Sequence, residues 1–146
     1  MNPAPALLLP EEAYSHIDTL VMNESESTIL AGKDTSDHTS PEYLASHFLE
    51  KGVKDAVIIT LGGEGLVYAT STRSAGRLAA RKVQVVDTTA AGDTFVGGYA
   101  VQRAKHMDGQ SDHRQALEFA TLAASKTVER KGAMAAIPYL RELNAQ

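Results

Sequence analysis

The chain has 146 residues, 43% hydrophobic and 22% charged, the composition of a folded protein long enough to bury a core. With 14 basic and 18 acidic residues the net charge is −4, which gives no sign of a nucleic-acid footprint or a polybasic membrane anchor, so any phosphate affinity must come from local geometry. The absence of cysteine removes disulfides, thiolate zinc sites, iron–sulfur clusters and cysteine nucleophiles. No apolar run approaches the roughly 20 residues of a membrane span. Met1 to Pro10 has no basic region ahead of Leu7, Leu8 and Leu9, so the expected location is cytoplasmic, or nuclear in a eukaryote.

One continuous domain without internal repeats is expected. Asp18 to Met22 reads as a short buried strand, followed by a helix from Glu24 to Ala31 that Gly32 stops. Residues 32–40 are polar and read as a loop. Ser40 and Pro41 then form an N-cap and first-turn pair for a helix from Glu42 to Lys51, closed by Gly52. Asp55 to Thr60 is apolar and β-branched, as in a strand covered on both faces, and Gly62-Gly63-Glu64-Gly65 turns it into a second strand, Leu66 to Ala69. Leu78 to Val86 predicts a further strand or a pair of short ones. A helix from Gly92 to His106, a polar loop from Lys105 to His113 and a long helix from Asp112 to Arg130, capped by Ser111 and stopped by Gly132, complete the pattern. Alternating strands and helices indicate an α/β layered sheet, with ligands at the C-terminal strand ends, here the turns after Met22, Thr60 and Val86.

The stretch Val86-Asp87-Thr88-Thr89-Ala90-Ala91-Gly92-Asp93 is a strand end feeding a small-residue turn that opens a helix. Such a turn is an anion site, because the first amides of a helix lack partners, the dipole is positive there, and small residues let a phosphate approach the backbone. Asp93 at its mouth suits proton abstraction from an attacking hydroxyl in phosphoryl transfer; the structural alternative is an ordinary helix-capping carboxylate. Neither GxxxxGK[ST] nor GxGxxG occurs. Gly97 and Gly98, inside the predicted helix, read as close helix–sheet packing. His16, His38, His47, His106 and His113 lack the spacing or acidic companions of a metal site.

Asp87 to Gly98 resembles the C-terminal signature of the ribokinase-like (pfkB) carbohydrate kinases. Asn2-Pro3-Ala4-Pro5, Asn23-Glu24-Ser25-Glu26, Thr60-Leu61-Gly62-Gly63-Glu64-Gly65 and Arg130-Lys131-Gly132-Ala133 follow in family order, with Ala90 the choice of the ribose-specific branch where many members carry Gly. The resemblance implies a three-layer α/β/α sandwich with a mostly parallel Rossmann-like sheet. Residues 1–146 would be the C-terminal nucleotide-binding and catalytic portion, with the N-terminal sugar-binding half and the lid missing. The family's homodimer uses that lid.

The implied reaction is transfer of the γ-phosphoryl of ATP to the 5-hydroxyl of D-ribose, with Mg²⁺ and a monovalent activator, K⁺. Asp93 would be the general base and would contact the sugar, and the amides of Ala91, Gly92 and Asp93 would form the anion hole. Asn23 and Glu26 would position Mg²⁺ and phosphates indirectly, although Asn-x-x-Glu is equally a helix capping box. Nucleotide contacts are implied for Asn23, Thr60, Gly62, Gly63, Glu64, Gly65, Gly92, Asp93 and Thr121, the last near the adenine; the glycines equally suit a plain hairpin. The K⁺ positions would be Asp87, Thr89, Thr127, Arg130, Gly132 and Ala136. Ala136 departs from the family's hydroxyl residue, and Arg130-Lys131-Gly132 also reads as a helix C-cap. The alternatives are a non-catalytic nucleotide-binding fragment of a truncated sugar kinase, or a pfkB kinase for another sugar or nucleoside.

Overall fold

A computed structural model describes residues 1–33, 39–105 and 112–143. The chain divides into two compact units, Met1–Ala79 and Ala80–Gln146.

The first unit is built on a four-stranded sheet in the order β1-β2-β3-β4, comprising β1 (Thr19–Asn23), β2 (Ala56–Thr60), β3 (Leu66–Thr70) and β4 (Ala75–Leu78). The pairing of β1 with β2 is parallel, and those of β2 with β3 and of β3 with β4 are antiparallel, so this part of the sheet is mixed. Ile58 and Ile59 point to opposite faces and are both fully buried, which accounts for an apolar strand without alternation. The outer edge of β1 is occupied by the start of the chain: the Val21 amide donates to the Met1 carbonyl at 2.9 Å, and Asn2 Nδ2 donates to the Val21 carbonyl at 2.9 Å.

Between β1 and β2 run α1 (Glu24–Leu30) and α2 (Pro41–Glu50), with the expected cap on α2: Ser40 Oγ accepts the Tyr43 amide at 3.2 Å. Gly32 (φ +67) and Gly52 (φ +116) end the two helices in the left-handed region that only glycine adopts cheaply. Phe48 and Leu44 of α2 join Tyr14, Leu20, Met22, Val57, Ile59 and Val67 in one core cluster. Full burial of such side chains contributes about 1.5–3 kcal/mol each.

The strand predicted over Leu78 to Val86 does not form. A turn at Ser71–Ser74, in which the Thr70 amide donates to the Ser74 carbonyl at 2.8 Å, folds the chain back earlier, so Ala75–Leu78 pairs with β3. Residues 79–86 then leave the sheet, with Val85 and Val86 largely exposed. β-Branched residues favour strands only where a neighbouring strand supplies partners, and Val86 instead donates its amide to the Val128 carbonyl at 2.7 Å.

The second unit contains α3 (Ala91–Lys105), α4 (His113–Val128), a 3₁₀ turn at Met134–Ala136 and a short α5 (Leu140–Leu143). The cap of α4 is Asp112, whose carboxylate accepts the Arg114 amide at 2.9 Å. Ser111, proposed from sequence for that role, lies outside the described residues, as do His38, His106, and most of the two polar loops. The helix closes at Val128, two residues before the expected end, and Gly132 (φ +102) turns the chain after it.

Helices α3 and α4 pack on each other through Gly98: a Cβ there would stand 3.3 Å from the Ala120 Cα. The contact is thus helix on helix, not helix on sheet as the sequence suggests. Gly97 has no such role among the described residues, since a Cβ on it meets nothing within 4 Å. Tyr99 and His113 join the same helices by a 2.8 Å bond between the hydroxyl and Nδ1.

Candidate functional site

The first unit places the predicted residues at the C-terminal ends of β1 and β2. Parallel register sets Asn23 beside Thr60, and Thr60 Oγ1 donates to the Met22 carbonyl at 3.3 Å. Asn23 leaves the strand and caps α1. Its Oδ1 accepts the Glu26 amide at 2.8 Å, while Glu26 Oε2 accepts the Asn23 amide at 2.8 Å, a complete capping box. The structural reading of Asn-x-x-Glu is therefore realised, and the other Glu26 carboxylate oxygen has no protein partner among the described residues.

After Thr60, a 3₁₀ turn (Gly62–Glu64) closes the hairpin, with the Leu61 amide donating to the Gly65 carbonyl at 2.7 Å. Gly62 (φ +54) and Gly65 (φ +102) are required by this geometry, whereas Gly63 lies open, with nothing within 4 Å of an added Cβ. Glu64 faces solvent and approaches Arg77 of β4 at 3.8 Å. Arg77 was not legible as a site residue, because the strand that carries it lies outside the predicted one.

In the second unit the chain reaches α3 through a tight turn. Ala90 takes φ +61, a left-handed conformation that costs an L-residue roughly 1–2 kcal/mol, and its carbonyl accepts the Thr94 amide at 2.9 Å to start the helix. Of the three predicted anion-hole amides, that of Ala91 donates to the Thr88 carbonyl at 3.2 Å. Those of Gly92 and Asp93 find no acceptor among the described residues, and the space above Gly92 is open. The Asp93 side chain is exposed in the first turn of α3, where an acidic residue complements the helix dipole, and makes no capping hydrogen bond among the described residues.

Behind this turn, Asp87 joins two segments. Its Oδ1 accepts the Thr89 amide at 2.9 Å and the Thr89 hydroxyl at 2.6 Å, and its Oδ2 accepts the Gly132 amide at 2.9 Å. The Thr89 hydroxyl above all, then the Gly132 and Thr89 amides, with Lys131 adding a smaller attraction, hold the carboxyl at a pKa of about 2. Arg130 pairs with Glu142 of α5, which raises the guanidinium pKa and lowers that of the carboxyl. Glu142 also accepts the Tyr139 amide at 2.8 Å, a tether that nothing in the local sequence announces.

Thr127 is buried on α4 with its Oγ1 3.1 Å from both the Ala123 carbonyl and Thr94 Oγ1 of α3. Ala136 is fully buried in the 3₁₀ turn and offers no side-chain oxygen. Thr121 carries a buried hydroxyl with no hydrogen-bond partner among the described residues, a group that ordinarily finds one. Asp87, Thr89, Thr127, Arg130 and Gly132 thus converge at the C-terminal end of α4 and the turn before α3. Among the described residues no helix is long and apolar enough to cross a membrane, and no group of three or more His, Asp or Glu side chains is arranged to hold a metal.

The parallel β1–β2 pair with its capped crossover helices, followed by a small-residue turn that opens a helix with an exposed carboxylate in its first turn, is an α/β arrangement of the ribokinase-like class. The model of the pfkB family carbohydrate kinases matches residues 1–140, and the chain belongs to that family. It is 43% identical over 144 residues to the ribokinase of Staphylococcus aureus (strain COL), an alignment covering 99% of this chain and 46% of that protein. The crystal structure of ribokinase from Thermotoga maritima superposes with a TM-score of 0.86 at 36% identity, over 99% of this chain and 46% of that one. Arabidopsis thaliana ribokinase complexed with ribose and ATP superposes with a TM-score of 0.77 at 32% identity, over 92% and 42%. The chain therefore spans about half the length of the relatives it matches.

Proposed function

We propose that the chain is the nucleotide-binding and catalytic portion of an ATP-dependent sugar kinase with D-ribose as acceptor. The observation that carries this reading is the opening of α3, with two amides that find no acceptor among the described residues, open space at Gly92 and an exposed Asp93 in the first turn. The ribose assignment is supported by similarity to ribokinases, one of them solved with ribose and ATP.

In the proposed reaction the Asp93 carboxylate takes the proton of the ribose 5-hydroxyl. The oxygen bonds to the γ-phosphorus as the bond to the β-phosphate bridging oxygen breaks, and ADP leaves. The amides of Gly92 and Asp93, joined by that of Ala91 if it releases Thr88, stabilise charge on the transferred group. Preorganised donors of this type contribute more than any other single effect in many transfers. The nucleotide contacts fall on each unit separately, with Asn23, Thr60 and the backbone of the Gly62 to Gly65 turn in the first and Gly92, Asp93 and Thr121 in the second.

Mg²⁺ supplies charge neutralisation to the phosphates. Glu26 fits a water-mediated hold on it, since one of its oxygens remains unused beside the capped Asn23. For K⁺, the Asp87 charge and backbone carbonyls at Thr89, Thr127, Arg130, Gly132 and Ala136 are the oxygen donors on offer, and Ala136 can give only its carbonyl.

That the chain spans 46% of the S. aureus protein favours a second reading, a nucleotide-binding fragment that does not turn over sugar. Sugar orientation is a large part of the rate in phosphoryl transfer. The deciding experiment is ATP-dependent phosphorylation of ribose by the 146-residue chain with Mg²⁺, with and without K⁺, against fructose and adenosine. Ribose-selective, K⁺-stimulated turnover supports the kinase; ATP binding without turnover supports the fragment.

A further inference from the structure

We infer that Arg77 is a positioning residue for nucleotide binding, neutralising and restraining the Glu64 carboxylate so that the Gly62–Gly65 turn can accept a polyanion. The inference rests on the proposed assignment of that turn to the nucleotide.

Arg77 sits on β4 opposite Val67, and its guanidinium reaches two carboxylates from different elements. Nη2 stands 3.1 Å and Nε 3.3 Å from Glu42 Oε1 in the first turn of α2, and Nη1 stands 3.8 Å from Glu64 Oε2. The rigid fork of arginine suits such a two-way hold, which a lysine ammonium on a flexible stem does not reproduce. Glu64 is an acidic side chain on a turn otherwise made of glycines, the worst charge to set beside phosphates. Gly63 next to it leaves the backbone open.

All three side chains are about half exposed or more, so as contributors to folding these pairs are worth little. Their effect on a bound anion is different, because it acts at the turn itself. Without Arg77, Glu64 presents an uncompensated negative charge and a free side chain at the place where the nucleotide would arrive. Repulsion over several ångströms in water-like dielectric amounts to a severalfold change in affinity at low salt, and screening removes it as ionic strength rises.

The test is ADP binding, with Mg²⁺, by the 146-residue chain and its variants, read by calorimetry at about 10 mM and about 500 mM salt. Adenosine serves as the uncharged control. R77Q is expected to weaken ADP about threefold to tenfold at the lower salt, with little change at the higher salt and little change in adenosine binding. E64Q/R77Q is expected to recover most of the loss, and E42Q/R77Q is not. Unchanged ADP affinity in R77Q overturns the proposal. So does an equal loss for ADP and adenosine, or recovery by E42Q/R77Q, either of which marks a structural role. Failure of the wild-type chain to bind ADP removes the nucleotide reading itself and this inference with it, an outcome seen before any variant is compared.

Discussion

Asp87 and Gly132, 45 residues apart in sequence, are joined by a 2.9 Å hydrogen bond from the Gly132 amide to the Asp87 carboxylate. The bond fastens the turn that precedes α3 to the turn that follows α4, so the amides at the start of α3 are held by a contact at the far end of another helix. The same carboxylate orders Thr89 with its second oxygen, two residues nearer to α3.

That contact gives stability a pH signature. The folded carboxyl has its pKa lowered from 3.8 to about 2, so its contribution is present in full above about pH 4 and is lost as pH falls towards 2. The expected outcome is that D87N lowers the urea midpoint at pH 6 and loses less than the wild type between pH 4 and pH 2. Parallel curves for the two proteins over that interval would show that Asp87 titrates alike folded and unfolded.

Asp93→Asn keeps the size of the side chain and removes its basicity. Phosphoryl transfer by an active form should fall at least about a hundredfold, the usual contribution of a positioned general base, while ATP affinity stays within a few-fold. Steady-state rates and nucleotide calorimetry on the same preparation separate the two quantities. Equal turnover in both proteins would remove Asp93 as the base.

The two central glycines of α3 should respond in opposite directions. Gly97→Ala meets no atom within 4 Å and should stabilise by up to about 1 kcal/mol through helix propensity. Gly98→Ala puts its Cβ 3.3 Å from the backbone of Ala120, so α3 and α4 must separate slightly, and the melting temperature should drop. Thermal unfolding of both variants reads the contrast directly.

Ala90 holds its turn at φ +61. Replacing it by Gly relieves the left-handed strain of roughly 1–2 kcal/mol and adds unfolded-state entropy of about 0.4–1 kcal/mol, so a small net stabilisation is expected in chemical denaturation. A loss of stability would mean that the Ala90 methyl packs usefully.

Thr121→Val tests the buried α4 hydroxyl that has no partner among the described residues. Removing a buried, unsatisfied oxygen while keeping the shape should raise stability without nucleotide by about 1 kcal/mol. If the hydroxyl serves the adenine, the same variant binds ATP more weakly, and the pair of measurements distinguishes a ligand contact from a packing defect.

Much of this was written locally. Strand β1 with its Asn23 cap, helix α2 between Ser40 and Gly52, the β2–β3 hairpin and the small-residue entry to α3 all follow from periodicity, caps and obligatory glycines, which act over a few residues and so can be read from them. The family was legible for the same reason, since its signature is one continuous stretch. The contacts that tertiary structure alone decided are those between distant residues: β4 pairing at Ala75–Leu78 instead of Leu78–Val86, Gly98 meeting Ala120, Arg77 reaching Glu42 and Glu64, and Asp87 closing on Gly132. Each depends on which surface the folded chain brings opposite a side chain, and propensity, being a property of neighbours in sequence, carries no information about that.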